Sequence, residues 1–90
     1  MPEQDSLGLR VLITIEELLR ERHPDQPPVD TARVLQRMRL DPDSRDDVAS
    51  AMSQLLDDGC VHGKELRGDV KVMDVTVTAI TEAGLELLPG

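Results

Sequence analysis

The chain predicts an α+β fold: three helices, then a β-hairpin, then a short closing helix. Three observations carry that prediction. Apolar residues recur at helical spacing in three stretches before Gly59, each bounded by Pro, Asp or Gly. From Cys60 onward the pattern changes to the alternation of a strand, interrupted by the turn-forming run Leu66-Arg67-Gly68-Asp69. Thr81 then stands where a side-chain oxygen can cap a last helix ending near Leu88.

Taken in order, residues 1–5 read as a frayed lead, with Asp5 or Ser6 as the cap of the first helix. Leu9, Leu12, Ile15 and Leu19 form its apolar face, flanked by Val11 and Leu18, and Glu16–Arg20 is a favourable pair four residues apart. Pro24 disfavours helical geometry at His23 and ends the helix, and HPDQPP forms a rigid loop. Asp30 caps a second helix, TARVLQRMRL, with Ala32, Leu35 and Met38 on its inner face and Val34 beside them. Asp41-Pro42-Asp43 breaks the chain. Ser44, with Asp47 three residues on, suits a cap for the third helix, whose stripe is Val48, Met52, Leu55 and Leu56, with Ala49 and Ala51 packing closely. Gly59 is its expected left-handed terminator.

The first strand is expected over 60–63, with Val61 facing inward and Cys60 and His62 sharing the other face. In the return strand Val70 and Val72 alternate on one parity, and Val75, Val77 and Ala79 on the other. That slip near Met73-Asp74 predicts a bulge, or a pairing that starts only at Met73. Ile80, Leu85 and Leu88 return to the core. Gly84 inside the last helix costs stability unless another backbone approaches closely.

Ninety residues make a single domain, spanning 1–90 with an ordered core over 6–88. Phe, Tyr and Trp are absent, so the core is aliphatic. The chain also lacks the stacking platforms used by single-strand nucleic-acid binders, and the aromatics that usually line drug-sized pockets. The formal charge is −8. Up to Leu40 seven acids face six bases, whereas from Asp41 eleven acids face only Arg45, Lys64, Arg67 and Lys71. A phosphate-seeking surface calls for the opposite asymmetry. One cysteine excludes an internal disulfide, no apolar run has the length of a membrane span, and the opening MPEQDSLG is unlike a signal peptide. The expectation is a cytoplasmic protein.

Leu55-Leu56, Gly59 and Val61, followed after the hairpin by Thr81, Gly84 and Leu88, resemble the winged helix–turn–helix superfamily. The likeness covers roughly residues 7 to 88. Within the superfamily the chain is most similar to small bacterial and phage proteins of the YjcQ-like kind, whose function is unknown. The resemblance implies a winged helix: a three-helix core, a β-hairpin wing and a short C-terminal helix. It also implies a transcriptional regulator that places the third helix in the major groove of double-stranded DNA.

On that reading Arg45 and Gln54 read bases, and Arg33 and Arg37 of the second helix with Lys64, Arg67 and Lys71 of the wing touch phosphates. Arg39 adds to the positive charge of the second helix. A homodimer joined through the first and closing helices doubles the contacts. The alternative is a protein–protein interaction module whose acidic half docks on a basic protein partner, or mimics the charge of DNA. Asp43, Asp46, Asp47, Asp57 and Asp58, on or beside the third helix, favour that alternative.

No cofactor is expected. Cys60, His62 and His23 lack the tight spacing of a metal site. The cluster Asp41, Asp43 and Asp46 has Arg45 at an expected calcium-ligand position. No nucleophile elbow or phosphate loop points to an enzyme. Arg67-Gly68-Asp69 is hairpin chemistry.

Overall fold

The computed structural model describes residues 3–70 and 72–88. Helix α1 spans Glu3–Glu21, strand β1 Val29–Asp30, helix α2 Thr31–Arg37 and helix α3 Arg45–Asp57. Strands β2 (Val61–Arg67) and β3 (Val72–Ile80) and helix α4 (Glu82–Leu87) complete the chain. The strands form an antiparallel sheet in the order β1-β3-β2. The three long helices pack on one another and against the sheet face that carries Val75 and Val77.

Helix α1 begins at Glu3, so residues 3–5 are helical and neither Asp5 nor Ser6 is its cap. Its buried stripe is Val11, Leu12 and Ile15, each fully inaccessible, with Thr14 beside them, while Leu9 is exposed. The stripe is therefore rotated from the one expected. Thr14 can be buried because its hydroxyl donates back to the Arg10 carbonyl at 2.8 Å.

Strand β1 was not foreseen. Val29 lies opposite Val77 and Asp30 opposite Thr76, a pairing too short to leave an alternation in the sequence. Asp30 also caps α2 as expected, accepting from the Arg33 amide at 2.9 Å. On α2 the buried residues are Thr31 and Val34, with Leu35 and Met38 half-buried and Ala32 exposed. Thr31 turns inward because its hydroxyl accepts from the Val75 amide at 3.0 Å. Its own amide donates to Asp74 at 3.2 Å, which ties α2 to β3.

The ends of α2 and α3 share one geometry. At α3, Gly59 (φ 77°) donates to the Leu56 carbonyl and Cys60 to the Leu55 carbonyl. At α2, Arg39 (φ 58°) donates to the Gln36 carbonyl and Leu40 to the Leu35 carbonyl. Both are Schellman caps, one with the glycine that the left-handed position favours and one with an arginine. Entry to α3 differs from expectation. Ser44 is helical and makes no capping bond, because a 3-10 turn over Pro42–Ser44 already closes with Ser44 donating to Asp41 at 2.8 Å.

Strand β2 runs on to Arg67, so Leu66 and Arg67 belong to the strand and the hairpin tip is shorter than expected. Pairing resumes at Val72, opposite Arg67, and Val70 is exposed. Two irregularities interrupt the register. One leaves Met73 as the extra residue of β3, at the predicted slip, and the other leaves Thr78. Cys60 and His62 do not share a face: Cys60 is still closing the cap of α3 and is buried, while His62 is exposed. On α4, Leu88 is half-buried but Leu85 is exposed, against expectation. Gly84 meets its condition, since a Cβ there would lie 2.2 Å from the Cys60 carbonyl oxygen. Thr81 locks this junction. Its hydroxyl donates to Gly59 at 2.6 Å and accepts from the Gly84 amide at 3.2 Å. Among the described residues no helix is long and apolar enough to cross a membrane.

Candidate functional site

Four of the side chains expected to touch DNA, Arg45, Arg37, Arg67 and Gln54, are engaged by other groups of the chain. Arg45, the base of α3, donates from Nη1 to the carbonyl of Met73, the bulged residue of β3, at 2.6 Å. Arg37, in the last turn of α2, bridges to Glu17 at 3.4 Å and to Glu21 in a short, direct pair on α1. The Glu21 carboxyl is lowered below the ordinary glutamate range by its hydrogen bond from Arg37, and the guanidinium is raised in return. Arg67 pairs with Glu65 on its own strand at 2.7 Å. Gln54 donates to Asp58 at 3.0 Å. Lys64 and Arg33 are exposed, on β2 and in the first turn of α2. Lys71 lies outside the described residues. Arg45 reaches the tip end of the hairpin, whereas Arg37 turns to α1.

The solvent face of α3 is acidic. Asp46, Asp47 and Asp57 are exposed on the helix, and Asp58 at its cap. Ser53 is buried, and its hydroxyl donates to Glu65 at 2.5 Å. That bond, followed by the one from Arg67, lowers the Glu65 carboxyl. The sequence signal for this link is weak, because a serine and a glutamate in such settings normally face water. Cys60 is pushed up by burial first and by nearby Asp58 second, which keeps it a thiol instead of a reactive thiolate. Among the described residues no group of three potential ligands could hold a metal.

Beside the acidic face lies an apolar groove of about 790 Å³, between the N-terminal half of α1, one side of α3 and the end of α4. Leu7, Leu9, Leu12, Ala51, Leu55 and Leu87 line it, and Asp47, Ser50, Gln54 and Asp58 form its polar edge. The groove is open: Leu9 is 39% exposed and Leu87 56%. The rotation of α1 that buries Val11 leaves Leu9 at its rim, a consequence that spacing alone does not reveal.

Compared with known proteins, the chain matches no family model, no curated protein and no solved structure.

Proposed function

We propose that the chain is a winged-helix scaffold that works as a protein-interaction module, docking a basic partner on the acidic surface of α3. The scaffold reading is supported by the order helix, short strand, helix, helix, hairpin, closing helix, with α2 and α3 as the helix–turn–helix pair and β2–β3 as the wing. The observation that carries the functional reading is the charge of α3. Four aspartates are exposed on it or at its cap, and its single arginine is engaged by the Met73 carbonyl. Presenting that face to a duplex would set carboxylates against phosphates, with no counterion release from the protein's cations to offset the repulsion. A cationic partner reverses the sign, and the same charges then steer association.

The test uses two fluorescent probes at low salt, a short random-sequence duplex and an oligolysine peptide. The duplex stays unbound at micromolar protein. The oligolysine binds, weakens as salt rises, and loses most of its affinity to an Asp47→Asn, Asp57→Asn, Asp58→Asn variant. Salt-sensitive binding of the duplex, or oligolysine binding indifferent to the triple variant, overturns the reading.

A further inference from the structure

We infer that the groove between α1, α3 and α4 is the docking site for an amphipathic helix of the partner, one with leucine-like anchors along one face and lysine or arginine beside them. The inference rests on the reading of α3 as an acidic interaction surface and adds the site and the form of the partner.

Three features specify the occupant. Leucine and alanine side chains line the groove, and Leu9 of α1 and Leu87 of α4 stand exposed in it, so it offers apolar contacts that no other described residue fills. An open groove bounded by helices accepts side chains that recur at i, i+3 or i+4, and i+7, the pattern of one helical face. Among the described residues, the charged side chains lining it are Asp47 and Asp58, both on the α3 side. An entering helix with cations along that edge gains pairing there, while acids are repelled. A second copy of this chain is the poorer occupant, because a protein of net charge −8 would bring like charges to an edge already acidic. An enclosed small-molecule site is also a poorer match. Leu9 and Leu87 in its lining are open to solvent, so the groove does not enclose a ligand.

The experiment compares two synthetic peptides of identical composition. One places leucines at i, i+3 and i+7 of a helix flanked by lysines, and the other is a scramble with the same charge. Both are titrated into ¹⁵N-labelled protein at moderate salt. The patterned peptide binds at least tenfold tighter, and its amide shifts map to Leu9, Ala51, Leu55 and Leu87. Leu87→Glu removes the tenfold advantage while the scramble binds no more weakly than before, and circular dichroism checks its fold. Leu9→Glu, on a different helix, repeats the test independently.

Equal binding of the two peptides overturns the groove while leaving the acidic-surface reading standing, and failure of both peptides to bind removes the two together. Concentration-dependent dimerisation in sedimentation, abolished by Leu87→Glu, assigns the groove to a second copy and overturns the inference.

Discussion

Arg39 and Gly59 occupy the same position in the same kind of helix cap, with backbone φ of 58° and 77°. A side chain in the left-handed region crowds its own carbonyl, so glycine holds it at least cost. The two sites form a matched pair of opposite sign. Nothing lies within 4 Å of a Cβ built at Gly59, so Gly59→Ala isolates the conformational term and should destabilise by about 1 kcal/mol. Arg39→Gly should stabilise by a similar amount, about 1 kcal/mol, which for a domain of this size raises Tm by roughly 4–8 °C. Thermal melts of the two variants check both signs. A fall in Tm for Arg39→Gly would show that the arginine side chain contributes more than the backbone relief. The glycine cap was legible in the sequence and the arginine cap was not, because nothing in Met38-Arg39-Leu40 marks a left-handed residue.

At the scale of the element, legibility followed the strength of the local signal. Asp30, Thr81 and Gly59 act as punctuation through their own chemistry, and each does so where the sequence placed it. The phase slip at Met73 appears as a bulge, which lets Val72 stay half-buried on one side of it while Val75 and Val77 are buried on the other. Ser44 failed as a cap, since Pro42 set up a preceding 3-10 turn that changed its backbone, and β1 was too short to show a period. The link from α3 to β2 through Ser53 and Glu65 was equally hidden, and it makes a pH-dependent prediction. Glu65 has its carboxyl lowered in the folded state. Its stabilising contribution is therefore complete above the unfolded value of about 4.3 and is lost as pH falls through the lower folded value. Glu65→Gln should flatten the acid side of the stability profile below about pH 4.3 and leave the slope above it unchanged. Ser53→Ala should raise the Glu65 titration toward the ordinary range, read directly by carboxyl NMR. An unchanged Glu65 titration in Ser53→Ala would mean that the bond does not persist in solution.

For the whole molecule, charge outweighs any single pair. The core was legible as aliphatic, because a chain without Phe, Tyr or Trp has no other material, and Leu12, Ile15, Met52, Val75 and Val77 are all fully buried. The candidate site was legible only in its sign. Acid in the second half marked α3, but the groove beside it depends on a helix rotation and on the placement of Leu87, both tertiary outcomes. The same excess of acid sets how stability responds to salt. Two opposing effects are present. Surface pairs such as Arg20–Glu16, Arg37–Glu17, Arg37–Glu21 and Arg67–Glu65 weaken as salt screens them, and exposed pairs of this kind contribute about 0–1 kcal/mol each. Against them stands the mutual repulsion of a net charge of −8, concentrated from Asp41 onward, which salt relieves. At about 0.1 M salt the screening length is roughly 10 Å, so added salt weakens interactions between exposed charges farther apart than that. Attraction and repulsion both sum over all pairs, and at a net charge of −8 the sum is repulsive, so relief of repulsion wins. The melting temperature should rise as sodium chloride is added to a low-salt buffer, and the rise should shrink in the Asp47→Asn, Asp57→Asn, Asp58→Asn variant, which removes three of the charges responsible. A melting temperature that falls with salt would place the balance with the ion pairs of α1 and α2 instead, and the acidic half would then contribute less repulsion than its charge implies.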